Sequence, residues 1–131
     1  MSDANKLVPA VDGESGECRA VAGILARVGD KWTVLVVGAL AHGPMRYSAI
    51  RRQVAGISQR MLTLTLKGLE EDGLVKRTMF PTIPPRVDYE LTELGQKLMV
   101  ALQSLYDFAL THRPEILAAR QKFAAQRNST T

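Results

Sequence analysis

SQRMLTLTLKGLEEDGLVKR, residues Ser58 to Arg77, reads as a capped helix followed by a strand. Ser58 can accept from the free backbone N–H groups of a helix beginning at Gln59, and Gly73 is placed to end that helix in a left-handed turn. At 100° per residue, Leu62, Leu66 and Leu69 fall on one stripe with Met61 and Thr65 beside them. Arg60, Thr63 and Lys67 project from the opposite side. Arginine can fork onto guanine, threonine can touch a hydrogen-bonding edge or a thymine methyl, and lysine can meet a phosphate, so this face suits a DNA major groove. On an isolated helix the same pattern is an ordinary solvated face, and the flanking segments decide between the two.

Upstream, His42-Gly43-Pro44 is a turn signal. Met45 to Val54 (MRYSAIRRQV) is then expected to form a short helix with Tyr47, Ile50 and Val54 inward and Arg51 and Arg52 outward. Ala55 to Ile57 connects it to the central helix. Short helices, a glycine-containing turn and a longer basic-faced helix make a helix-turn-helix. Downstream, Leu74 to Phe80 (LVKRTMF) has strand composition, Pro81 to Arg86 (PTIPPR) is a stiff proline loop, and Val87 to Leu91 (VDYEL) alternates like a returning strand. Prolines donate no ladder hydrogen bonds, which assigns them to the loop. A hairpin directly after such a helix is a wing, whose tip can meet the phosphate backbone or the minor groove, with Arg77 and Arg86 supplying charge.

Further out, Cys18 to Val28 (CRAVAGILARV) places Val21, Ile24, Leu25 and Val28 on one helical face. Lys31 to Leu40 (KWTVLVVGAL) has Trp32, Leu35, Val36, Ala39 and Leu40 spaced for burial in a helix, although its β-branched residues also suit a strand. At the other end Thr92 caps a long helix in which Leu94, Leu98, Leu102, Leu105 and Ala109 form an apolar line close to a coiled-coil seam. His112-Arg113-Pro114 is expected to break or kink it, with Pro114 opening a final helix that carries Ile116, Leu117 and Phe123, and the terminal NSTT is expected to fray. Residues 1–17 mix glycine, serine, proline and four acids without periodicity, as a loose tail would.

The chain has 131 residues, 46% of them hydrophobic, which suits one compact domain with an appended helix. No apolar run is long enough to span a bilayer, and the first residues lack the apolar stretch of a signal peptide, so the expected location is the cytoplasm. Cys18 is the single cysteine, which excludes an internal disulfide framework. The formal net charge is +4, and its distribution says more than its sum. Between Lys31 and Leu69 there is no Asp or Glu, while Lys31, Arg46, Arg51, Arg52, Arg60 and Lys67 all lie in that window. A one-signed segment attracts polyanions and makes their binding salt-dependent.

Enzyme chemistry finds no purchase. There is no Ser/His/Asp or Cys/His constellation, no GxxxxGK[ST] phosphate loop and no paired carboxylates in an evident cleft. Glu70, Glu71 and Asp72 point in different directions around a helix end. His42 and His112 have no metal-ligand spacing with Cys18, so neither a metal nor a cofactor is expected.

Taken in order, GDKWTVLVVGAL, GPMRYSAIRRQVAGISQRMLTLTLKGLEEDGLVKR and PPRVDYELTELG resemble the HxlR family of bacterial transcriptional regulators, over roughly Cys18 to Tyr106. The resemblance implies an α+β, mostly helical winged helix-turn-helix related to the MarR group. It further implies a homodimer formed through terminal helices, an inverted-repeat operator of double-stranded DNA, and activation or repression of a neighbouring gene. By position it places Ser58, Gln59, Arg60, Thr63 and Lys67 on the recognition helix, Ser48, Arg51 and Arg52 on the supporting helix, and Arg86 on the wing. Several members of the family sense electrophiles, quinones or oxidants through a cysteine near the start of the first helix, where Cys18 stands; Arg19 follows it in place of the usual proline. The chain thus divides into a tail (1–17), a DNA-binding domain (18–91) and C-terminal dimerisation helices with their own tail (92–131). Three alternatives stay open: a structural Cys18, a small-molecule effector in a pocket between the first helix and the long C-terminal helix, and a winged-helix module that binds an acidic protein.

Overall fold

Side-chain oxygens start the helices that form the centre of the molecule. In the computed structural model, which describes residues 16–129, the Asp30 carboxylate accepts from the backbone N–H of Trp32 (3.0 Å) and Thr33 (3.3 Å). The Ser58 hydroxyl accepts from Met61 N–H at 3.0 Å. These caps satisfy donors that the first helical turn leaves unpaired. The described elements run α1 (Gly16–Val28), α2 (Lys31–Ala39), a 3₁₀ turn (Leu40–His42), β1 (Met45–Arg46), α3 (Tyr47–Gln53), α4 (Gln59–Glu71), β2 (Val75–Phe80), β3 (Arg86–Leu91) and α5 (Glu93–Ser129).

The strands form one antiparallel sheet in the order β1-β3-β2. Val75 stands opposite Leu91 at the base of the hairpin and Phe80 opposite Arg86 near its tip, while Met45 and Arg46 pair with Tyr89 and Asp88. The core lies where α2, α3 and α4 meet the sheet, and Val36, Leu40, Ile50, Leu62 and Leu69 are wholly buried there. Gly73, at φ 73°, makes the left-handed turn between α4 and β2; Leu74 N–H reaches back to the Leu69 carbonyl at 2.9 Å, closing the helix end. Thr92 then joins wing to long helix. Its hydroxyl donates to the Gly73 carbonyl (2.6 Å) and accepts from Gly95 N–H (3.0 Å).

Several expectations need correction. The helix expected over Met45–Val54 begins only at Tyr47, because Met45 and Arg46 are drawn into the sheet by pairing with β3. In α2, Leu35 is exposed and Val37 takes a core place beside Val36. Of the tail expected over residues 1–17, the first fifteen residues lie outside the described ones, and Gly16 and Glu17 already belong to α1, where Glu17 complements the positive end of the helix. Arg86 belongs to β3 rather than to the proline loop.

Pro114 does not end the long helix. α5 is one 37-residue helix that continues through Pro114 to Ser129. A single internal proline removes one backbone hydrogen bond, and helix continues on both sides of it; across the site His112 Nδ1 lies 2.7 Å from Glu115 Oε1. Asn128 and Ser129, expected to fray, are helical.

Candidate nucleic-acid interface

The capped start of α4 decides which of its side chains face outward. With Leu62, Thr65, Leu66 and Leu69 turned into the core, Ser58, Gln59, Arg60, Thr63 and Lys67 are all exposed on the other side. Ser48, Arg51 and Arg52 are exposed on α3. Among the described residues, Arg51, Arg52, Arg60 and Lys67 take part in no ion pair, so their charge is available to a polyanion. Arg46, also in the acid-free window, pairs across the sheet with Asp88, and Lys31 lies 4.3 Å above the Trp32 ring.

A residue with no predicted polar role organises this face. Tyr47, expected only as an inward apolar residue, opens α3, donates its hydroxyl proton to the Gln59 carbonyl (2.8 Å) and lies 3.0 Å from Thr63 Oγ1. It thereby fastens the supporting helix to the first turns of α4. The available signal was chemical, since a half-buried tyrosine normally seeks a partner for its hydroxyl.

On the wing, Arg77 is exposed on β2, and Arg86 is exposed near the tip but engaged. Its Nε and Nη2 donate to Asp88 Oδ1 and Oδ2, each at 3.1 Å, and its guanidinium lies over the Phe80 ring. This two-pronged bond raises the Arg86 pKa and holds the Asp88 carboxyl below its ordinary value. Desolvation opposes the Asp88 shift, and the nearby charges of Arg86 and Arg46 add to it. Sequence placed Arg86 on the wing but missed this partner. Thr82 braces the tip by donating to the Pro84 carbonyl at 2.8 Å, and Ile83 stands fully exposed.

Behind the face, α1 touches the C-terminal end of α4 through Arg27, whose Nε lies 2.7 Å from Asp72 Oδ2. Its guanidinium crosses Gly68, where any Cβ would overlap Nη1. Cys18 is half-buried on α1, at a distance in sequence from every residue of the basic face. Among the described residues no cluster of His, Cys, Asp or Glu is placed to hold a metal ion, and no helix is long and apolar enough to cross a membrane.

Comparison with known proteins places this geometry. Residues 27–116 match the family model described as HxlR-like helix-turn-helix. The HTH-type transcriptional regulator YtfH of Escherichia coli is 39% identical over 102 residues, which are 78% of this chain and 81% of that protein. The solved structure of the regulator ytfH from Salmonella typhimurium has 37% identity and a TM-score of 0.72, over 77% of this chain and 90% of that one. The solved structure of the redox regulator HypR in its reduced form has 33% identity and a TM-score of 0.70, over 76% of this chain and 98% of that one.

Proposed function

The chain belongs to the HxlR-like helix-turn-helix family and is a transcriptional regulator of the HTH type rather than an enzyme; from that premise we propose how it reads DNA and what it answers to. In the proposed mode, α4 lies in the major groove with Gln59, Arg60 and Thr63 toward base edges. Lys67, Ser48, Arg51 and Arg52 meet phosphates beside it, and Arg77 and Arg86 lie at the wing, on the backbone or in the minor groove. The observation that carries this reading is the unpaired basic face of α4 and α3, held rigid by the Ser58 cap and the Tyr47 clamp.

The working unit is a homodimer in the cytoplasm. Val21, Ile24 and Leu25 on α1, and Leu105, Phe108 and Leu117 on α5, leave two helices with apolar side chains exposed among the described residues. A 37-residue helix is about 55 Å long at roughly 1.5 Å per residue, long enough to hold two heads apart at the half-site spacing of about 34 Å. Cys18 is the proposed sensor, supported by the likeness to the redox regulator HypR. Being the single cysteine, it has two routes to a disulfide. Its thiol can pair with Cys18 of the second subunit or with a small thiol, each pair losing two electrons and two protons to the oxidant.

A second reading, an effector other than an oxidant, is favoured by a cleft of about 870 Å³ between α2 and α5. Val37, Val54, Met99 and Leu102 give it an apolar floor, and His42 and Tyr106 stand at its polar edge.

The test is a titration of duplex DNA from immediately upstream of the gene against scrambled DNA, with reduced and with oxidised protein. Reduced protein is expected to prefer its own DNA by roughly a thousandfold, and oxidation to abolish that preference in the native chain but not in Cys18→Ser. Preference that survives oxidation removes Cys18 as sensor and leaves the cleft. Affinity of about 10⁻⁴ to 10⁻⁶ M with no sequence preference turns attention to other operators and then to an acidic protein as the partner of the basic face.

A further inference from the structure

Thr63 lies on the outward face of α4, and a threonine hydroxyl ordinarily serves either kind of base edge because it rotates to donate or accept. Here its proton is accounted for. Tyr47 carries one phenolic hydrogen, and the Gln59 carbonyl 2.8 Å away can only accept, so that hydrogen is spent there. The 3.0 Å contact between the Tyr47 oxygen and Thr63 Oγ1 must then be completed by the threonine's own proton. Protons point one way along the chain, from Thr63 to Tyr47 to the Gln59 carbonyl. Thr63 is left with lone pairs and a methyl group to show to the exterior, and no donor.

We propose that Tyr47 is a specificity-determining residue that never touches DNA: it restricts Thr63 to edges offering an exocyclic amino group or a thymine methyl, and turns it against the acceptor edge of guanine. This rests on the reading of α4 as the major-groove helix, and adds to it which bases one position selects and why. Guanine presents N7 and O6, both acceptors, whereas adenine N6 and cytosine N4 present donors. An acceptor-only hydroxyl facing N7 and O6 opposes lone pair to lone pair. The same hydrogen bonds fix the first turn of α4 against α3, so the restriction is built into the fold before any DNA arrives.

The experiment is selection of bound duplexes from a random-sequence pool by the full-length native protein and by Tyr47→Phe, Thr63→Val and Thr63→Ser, with thermal melting of each. The native motif is expected to disfavour guanine at one column of each half-site. Tyr47→Phe releases the Thr63 proton, so guanine should rise there about fivefold, the size of one neutral hydrogen bond, with the other columns unchanged. Thr63→Ser keeps the hydroxyl and should keep the native bias against guanine; Thr63→Val should lose the amino-base preference.

A Tyr47→Phe motif identical to the native one, or an equal loss on all sequences, overturns the proposal. So does a Thr63→Val motif identical to that of Thr63→Ser, which holds even if Tyr47→Phe melts early. A native protein that selects no motif overturns this inference together with the DNA-reading role, a result distinct from a native motif that the variants leave untouched.

Discussion

The body built from α2, α3, α4 and the sheet buries Val36, Leu40, Ile50, Leu62 and Leu69 completely, while α1 buries no residue and the 37-residue α5 buries only Gly95 and Leu102. Both regions are apolar in sequence. Their side chains differ in what they have to pack against. In the body each apolar stripe meets another from the same chain. On the terminal helices the stripes read from periodicity are real, yet most of their residues face outward: Ile24 is 60% exposed and Leu105 54%. A hydrophobic pattern therefore identifies an apolar face, and not what that face packs against.

The largest effect expected from this contrast is at Leu62. Leu62→Ala should cost about 2 to 5 kcal/mol of unfolding free energy, the range for deleting a fully buried leucine side chain. Leu25→Ser on α1 should change stability by about 0.5 kcal/mol or less under dilute conditions. It should nevertheless abolish the rise of Tm with protein concentration that a dimer shows in the native chain. Denaturation at several concentrations separates the two. A native Tm independent of concentration would mean that the terminal helices are not covered by a second copy.

The two junctions between body and terminal helices come next, and they differ in what they can yield. A Cβ at Gly95 would overlap the Leu74 carbonyl oxygen and stand 3.2 Å from Leu91 Cβ, so α5 would have to move off the base of the wing. Gly95→Ala should cost about 1 to 3 kcal/mol, as overpacking does. At Gly68 the obstacle is the far end of the Arg27 side chain, which can swing away. Gly68→Ala should be close to neutral, because the helix propensity gained, about 1 kcal/mol, offsets an exposed ion pair worth about 1 kcal/mol or less. Urea unfolding of both variants checks the difference, and equal losses would mean that Arg27 cannot leave its seat.

Ser58→Ala removes the cap of α4 and should cost about 1 kcal/mol. Because the cap fixes the end from which Gln59 and Arg60 project, specific DNA affinity should fall with stability, whereas Arg60→Ala should cost about 1 to 3 kcal/mol of specific binding and leave Tm near the native value. Parallel melting and DNA titration distinguish a residue that aims the helix from one that reads with it.

What the sequence made legible follows local chemistry. Ser58, Gly73 and Thr92 announced the ends of α4 and the start of α5 because caps and left-handed turns depend on a residue's own side chain. The hairpin was visible from strand composition on both sides of a proline loop. Non-local effects were hidden: Met45 and Arg46 became a strand through partners more than forty positions away. Pro114 is a breaker by local rules, yet it is carried by a long helix continuous on both sides. For the interface, Arg60, Thr63 and Lys67 on the outward side of α4 came from periodicity, and Gln59 from the family resemblance. The Tyr47 bonds to Gln59 and Thr63 and the Arg86 bond to Asp88 came from neither, since the first requires two helices to be docked and the second a strand register to be set.

The smallest expected effect concerns that last bond, and its sign can be worked out. Arg86 holds the Asp88 carboxyl below its ordinary pKa in the folded chain, so the unfolded chain takes up a proton there first as pH falls. The stabilisation is fully present above the ordinary carboxyl range, near pH 4, and is lost as pH drops through the lowered value. The stability difference between the native protein and Asp88→Asn should accordingly be constant from neutrality down to about pH 5 and shrink below about pH 4. A difference that stays flat through that window would show that the Arg86 guanidinium gains nothing from the charge on Asp88. Arg86 would then be as available to DNA as Arg60, and Asp88→Asn should leave its contribution to binding unchanged. If the difference does shrink, Asp88→Asn should instead release Arg86 and steepen the salt dependence of DNA binding by up to about one phosphate contact.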